Sequence, residues 1–131
     1  VESAHAILAG LDPADEMAFG LAYDKLWSVH LNDQNGLKFD QDRSFGAVNL
    51  RRAFDQVLVL DDHRFWERGM VGLDVKAVRT QKAEAAEKHL SNSLELFLWL
   101  VERVRICPVG DARAAAARRV PHPGPVKERR S

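Results

Sequence analysis

Histidine and acid crowd one short part of the chain. In HLNDQNGLKFDQD, His30 to Asp42, an imidazole sits at the end of the apolar run KLWSVHL. Two aspartates follow, one residue apart, after the turn-rich NDQNG. Paired carboxylates near an imidazole are the donor set of a divalent-metal site. In an extended segment, residues i and i+2 point the same way, which would turn Asp40 and Asp42 toward one ion and Gln41 away from it. Another acid, Asp74, lies within the apolar stretch MVGLDVKA, with Lys76 at the alternating position. A carboxylate among apolar neighbours is costly unless paired, so Asp74 takes either a cation from solution or an ion pair with Lys76 or Arg79. Taken singly, each residue has an ordinary explanation. A D-x-D loop is most often solvated acid, and a histidine at a strand end is most often a satisfied core side chain. His63, His89 and His122 lack such company and read as surface residues, and Trp66 and Trp99 read as packing residues.

The elements around these residues explain why they should meet. Residues 2–8 read as the end of a strand and its following loop. Asp12-Pro13 opens a helix, with Asp12 as cap, Pro13 at the first helical position and Asp15 and Glu16 favouring the positive end of the dipole. Its apolar face is Ala14, Met17, Ala18, Leu21 and Ala22. KLWSVHL, Lys25 to Leu31, suits a buried parallel strand, and residues 32–46 form a loop. Asn49 caps a second helix with the stripe Leu50, Ala53, Phe54, Val57 and Leu58, and Gly69 closes that region. Met70 to Ala77 reads as another buried strand. Thr80 caps a third, long helix with the stripe Ala83, Ala86, Leu90, Leu94, Phe97, Val101 and Val104.

Strands alternating with helices imply a parallel α/β sheet with crossover helices. In such sheets ligands bind at the carboxyl ends of the strands. His30, Asp74, the Asp40–Asp42 loop, and Glu2 and His5 after the first strand all fall at that end. Three strands are too few for a closed barrel, so the order describes either a small open sheet or part of a larger domain.

The totals exclude other classes. Hydrophobic residues make up 46% of the 131, and the formal charge is zero, an ordinary globular balance. No apolar run has the length of a membrane span, and VESAHAILAG lacks the basic start of a signal peptide. A single cysteine, Cys107, excludes an internal disulfide framework and fits a cytoplasmic setting. Residues 106–131 lose all periodicity and carry a net charge of +4, against −4 for the rest. They read as a disordered basic tail. With no aromatic residue to stack on bases, the tail is weak support for nucleic-acid binding.

The quoted residues carry a resemblance. LNDQNGLKFDQDRSFG is similar to the metal-binding loop of the xylose isomerase-like barrel superfamily, and GLDVKAVRT resembles the last strand of that barrel. ESAH matches the family's Glu-x-x-His pair at Glu2 and His5, and the spacing from His5 to His30 agrees as well. The resemblance implies a partial (β/α)8 TIM barrel over residues 1–105, from about strand six through helix eight. It implies a divalent-metal-dependent aldose–ketose sugar isomerase working by hydride shift at a two-metal site. Glu2 would bridge the ions. His30 and Asp74 would complete one site together with a glutamate from strand five, and His5, Asp40 and Asp42 would complete the other. The catalytic set implied is Glu2, His5, Asp42 and Lys76, with Lys76 orienting a ligand carboxylate and Asn32 anchoring the loop. The partner implied is a small sugar, and the complete protein is expected to form a homo-oligomer.

Xylose isomerases carry aspartate where this chain has His30. Histidine there is similar to the L-rhamnose isomerase branch. It favours Mn²⁺, Co²⁺ or Zn²⁺ over Mg²⁺, with Mn²⁺ first. HLND is also similar to endonuclease IV-like phosphodiesterases acting on abasic DNA, although their loop carries Asp-x-His where this chain has Asp40-Gln41-Asp42. The glutamate and lysine of strand five have no counterpart here, so this chain is expected to be inactive alone. The alternatives are that phosphodiesterase or a non-catalytic truncated product.

Overall fold

Local signals start most of the elements. In the computed structural model, which describes residues 1–106, the Asp12 carboxylate accepts from the Ala14 amide and Pro13 begins a helix. The Asn49 side chain accepts from the Arg52 amide at the head of another. Each cap satisfies a main-chain donor that the helix itself leaves without a partner. The elements run α1 (Ser3–Leu8), α2 (Pro13–Ala22), β1 (Ser28–Leu31), α3 (Leu50–Asp62), a 3-10 turn (Phe65–Glu67), β2 (Met70–Leu73) and α4 (Ala85–Ile106). The chain is mixed α/β, and no helix among the described residues is long and apolar enough to cross a membrane.

β1 and β2 pair in parallel, in the register Ser28↔Met70 to Leu31↔Leu73. On the far side of β1, Val1 and Glu2 run parallel as a strand stub. The His30 amide donates to the Val1 carbonyl at 2.9 Å, and Glu2 bridges to His30. Strand geometry sends alternate side chains to opposite faces. Val29 and Leu31 are fully buried, while His30 between them is exposed. The core therefore lies on one side of the sheet, where Met17, Leu21, Val57, Leu60, Phe45, Phe65 and Leu100 join them.

Several expectations need correcting. Residues 3–8 are helical, and only Val1 and Glu2 pair as a strand. The Lys25–Leu31 strand is shortened to Ser28–Leu31, because the Lys25 amide is spent on the Gly20 carbonyl at the end of α2. Trp27 stands 79% exposed, and among the described residues the sheet is covered on one face only. The second strand stops at Leu73, so Asp74 follows it rather than lying inside it. Beyond that point the Lys76 amide turns to the Asp42 carbonyl.

Thr80 caps nothing, since α4 begins at Ala85. Leu90 and Leu94 of the expected stripe are exposed, whereas Val104 is buried and Phe97 and Val101 pack against the core; α4 also buries Ser93 and Leu100. Trp66 does pack, edge-on to Phe97, whereas Trp99 is 44% exposed beneath Arg103. α4 ends at Ile106. The tail and His122 lie outside the described residues.

Candidate metal centre

The site begins with how the loop after β1 is held. Asp33 is buried, and its main chain pairs reciprocally with Arg43 at 2.9 Å in each direction. One of its carboxylate oxygens accepts from the Val48 and Asn49 amides at 2.9 and 3.0 Å, and the other accepts from Gln34. The acid thus closes the loop at both ends and ties it to the start of α3. Gln34 braces the loop from within. Its amide nitrogen donates to the carbonyls of Gly36, Lys38 and Phe39, and its oxygen accepts from the Gln41 amide. Both side chains are almost fully buried, so this polar network is satisfied internally. Neither residue stood out in the sequence; the turn-rich NDQNG was the only local signal.

Asn32 joins this loop to the start of the chain. Its carbonyl oxygen accepts from the Ala4 amide at 2.7 Å. Its amide donates to Asp42 at 3.1 Å and to Glu2 at 3.4 Å. Glu2 is thereby fixed at the tip of the strand stub, beside His30 in the neighbouring strand.

Two groups of donors result. In the first, His5 Nδ1 lies 3.2 Å from Glu2 Oε2, and His5 Nε2 lies 3.4 Å from Asp40 Oδ2. In the second, His30 Nδ1 lies 3.8 Å from Asp74 Oδ2, with Glu2 again alongside. Within each group, Glu2–His5–Asp40 and Glu2–His30–Asp74, one ligand atom per residue lies within 4.8 Å of the others. Glu2 belongs to both. These residues come from the strand stub, α1, the end of β1, the loop after it and the residue following β2. The side chains of His5, His30 and Asp74 are each more than half exposed.

Asp42 behaves differently from Asp40. Its backbone is left-handed, at φ 42°, so the pair is not extended and the two acids diverge. Asp40 turns to His5. Asp42 is buried, takes the Asn32 amide on Oδ1 and meets Lys76 Nζ on Oδ2 at 2.5 Å. Lys76 is held above its ordinary ammonium range, first by that hydrogen bond and then by the charges of Asp42, Asp40 and Asp74 acting against partial desolvation. It remains a cation throughout the physiological range. Lys76 therefore pairs with Asp42, while Asp74 faces His30.

The donor chemistry suits a divalent cation. Glu2 and Asp40 meet the imidazole of His5, and Glu2 and Asp74 meet that of His30, while Asp42 is held apart by the Lys76 ammonium. Carboxylate oxygen with imidazole nitrogen is the set that Mn²⁺, Co²⁺ and Zn²⁺ accept. The other described histidines, His63 and His89, have structural partners. His63 Nδ1 lies 2.8 Å from the Val59 carbonyl. His89, expected to be a bare surface residue, is 2.7 Å from both Ser44 Oγ and Gln81 Oε1, linking the loop's far end to α4.

No protein-family profile matches the chain. Individual proteins do. Xylose isomerase of Thermus thermophilus is 35% identical over 102 residues, covering 78% of this chain and 26% of that enzyme. Xylose isomerase of Streptomyces lividans is 35% identical over 120 residues, covering 89% and 30%. Xylose isomerase of Thermus caldophilus is 34% identical over 102 residues, covering 78% and 26%. The chain thus spans less than a third of the length of the relatives it matches. Identity at this level across most of the chain makes it a partial relative of the xylose isomerases.

Proposed function

We propose that residues 1–105 form the part of a (β/α)8 barrel running from strand six through helix eight, and carry most of the two-metal centre of an aldose–ketose sugar isomerase. Residues 106–131 are read as a separate basic tail. The observation that carries this reading is Glu2, shared between two donor groups at the carboxyl ends of neighbouring parallel strands. The xylose isomerase relatives support the reaction class, and the parallel pair with a helix between its strands supports the barrel. The complete protein is expected to act as a homo-oligomer on a small sugar.

In this reading Glu2, His30 and Asp74 hold one ion with a further donor from outside the described residues, and Glu2, His5 and Asp40 hold the other, with Asp42 able to join. Mn²⁺ is the favoured ion, with Mg²⁺, Co²⁺ or Zn²⁺ as substitutes. When bound, such ions polarise the carbonyl and neighbouring hydroxyl of an open-chain sugar and lower the pKa of water. The chain's own residues supply position and proton control. Asn32 locks Glu2 and Asp42 to one another through its amide. Lys76 would orient the Asp42 carboxylate through its ammonium. The reaction class is interconversion of an aldose and a ketose, in which a hydride shifts between adjacent carbons of the substrate.

Mn²⁺ titration of the chain, read by calorimetry, tests the centre. Glu2→Gln is expected to weaken binding in both groups, and by more than His5→Ala or Asp74→Asn, each of which touches one group. Unchanged Mn²⁺ affinity in Glu2→Gln would remove this reading. The isolated chain is expected to form no ketose from an aldopentose. The complete protein is expected to do so only with a divalent ion, and ketose formation persisting in excess EDTA would refute the mechanism. The relatives give no support to the phosphodiesterase alternative, and no nicking of abasic DNA is expected.

A further inference from the structure

One side chain outside the donor groups reaches both walls of the cleft beside them. The cleft, of about 560 Å³, lies between the loop after β1, with Asp40 and Arg43, and the segment from β2 to α4, with Lys76 and Thr80. The walls meet at Lys76, whose amide donates to the Asp42 carbonyl at 3.0 Å and whose ammonium pairs with the Asp42 carboxylate. Further along, the bridge is His89 of α4. Its Nε2 lies 2.7 Å from Gln81 Oε1, and its Nδ1 lies 2.7 Å from Ser44 Oγ. Gln81 Oε1 also accepts from the Val78 amide at 3.2 Å. That oxygen is an acceptor only, so Nε2 donates to it and Nδ1 accepts from the Ser44 hydroxyl. Among the described residues, the His89 contact is the only hydrogen bond from the Val78–Gln81 turn to another part of the protein. Ser93, four residues on and so on the same face of α4, accepts from the Phe45 amide. Adjacent turns of one helix thus grip the consecutive loop residues Ser44 and Phe45.

We propose that His89 is a positioning residue of the metal centre: by bonding Ser44 and Gln81 at once, it holds the segment that carries Lys76 against the loop that carries Asp40 and Asp42. The role rests on the metal-centre reading; the bridge itself does not. The His89 ring is only half-buried, so water could satisfy it, and its two bonds matter less for its own burial than for the segments they join. Between Leu73 and Ala85 the chain has no helix or strand to fix it. Without the bridge, the turn beyond Lys76 is free to swing, and the Lys76–Asp42 pair loses the frame that sets its place. Donors that must be ordered at the moment of binding bind more weakly than donors already in place. Asp74 is outside this effect, because its amide is held by the Leu31 carbonyl at the sheet. The bridge therefore serves the Glu2–His5–Asp40 group, with Asp42 beside it, and not the Glu2–His30–Asp74 group.

The test uses the 131-residue chain, first without metal and then with Mn²⁺. Without metal, hydrogen exchange at the Lys76 and Val78 amides is expected to quicken in His89→Leu, and also in Gln81→Ala, which cuts the same link from an exposed position. Exchange in α3, expected to be unchanged, shows that both variants are folded. With metal, calorimetry is expected to show Mn²⁺ binding weakened about fivefold or more in His89→Leu, and largely restored in His89→Gln, which keeps a donor and an acceptor at similar reach. The loss is expected to shrink in an Asp40→Asn background and to persist in Asp74→Asn, since only coupled sites depart from additivity. Unchanged exchange, unchanged Mn²⁺ affinity in His89→Leu, equal losses in the Leu and Gln variants, or equal losses in the two backgrounds would each overturn the proposal. A native chain that binds no Mn²⁺ would sink the metal-centre reading and the positioning role together. Binding that ignores His89 would sink the role alone.

Discussion

Asn32 shows how much one buried amide can hold. It has a single carbonyl and a single NH₂ group, and it uses them on Ala4, Asp42 and Glu2. Replacing it with alanine leaves the Ala4 amide and Asp42 short of a partner in a buried place. The expected cost is about 1–3 kcal/mol for each group that water cannot reach, measured as a lowered denaturant midpoint with an unchanged slope. A loss near zero would show that the amide is not tying the loop to the start of the chain. Lys76→Met is the companion experiment. It leaves Asp42 buried with only the Asn32 amide to hold it, and Mn²⁺ affinity is expected to fall by more than in Lys76→Arg, which keeps the cation. Equal affinity in the two variants would assign Lys76 a packing role only. The acids themselves were legible as residue types and spacing. Their division of labour was not, because it depends on the left-handed backbone at Asp42, which turns one acid to His5's side and the other to Lys76's.

At the level of elements, what the sequence revealed was whatever rests on neighbours in the chain. Asp12-Pro13 and Asn49 start helices by bonds to residues two or three positions on, and both were visible. Asn49→Ala is expected to destabilise by about 1 kcal/mol in thermal or chemical unfolding. What was hidden rests on distant partners. α1 has no side-chain cap at Glu2, and its start is instead secured by Asn32 from across the sheet. Ser93 faces the core because its hydroxyl accepts from the Phe45 amide and donates to the His89 carbonyl, which no apolar stripe discloses. Ser93→Ala is therefore expected to destabilise although it makes the helix more apolar, by about 1–3 kcal/mol, since it strands the buried Phe45 amide. Gly46, between loop and α3, is a third position fixed by its surroundings. Its φ is +72°, and an added Cβ would stand 2.5 Å from Leu96 Cδ2 and 3.3 Å from Ala53 Cβ. Gly46→Ala should combine backbone strain with a core clash, and a hydrogen-exchange measurement should place the loosening in α3 and α4.

For the whole molecule, the decisive feature is that one face of the sheet is bare among the described residues. Trp27 and Met70 are 79% and 69% exposed where the strands begin, and His30 is open between them and the acids. β2 and the Val1–Glu2 stub also present outer edges with no strand beside them among the described residues. Unpaired edges and exposed aromatic surface favour association. Size exclusion of the isolated chain across a wide concentration range is expected to show apparent mass rising with concentration. A monodisperse monomer throughout would show that these edges are not adhesive, and would weaken the barrel-segment reading with them. Most of the alternating order could be read from periodicity. The missing cover on the second face could not, since it is a matter of which partners are present. One consequence concerns how such a protein could diverge. Gln34 grips only main-chain oxygens at Gly36, Lys38 and Phe39, while the side chains of Leu37 and Phe39 project outward at 67% and 79% exposure. Mutations at those two tips leave the loop's frame in place, so the outward surface there is free to vary without rebuilding the acids behind it.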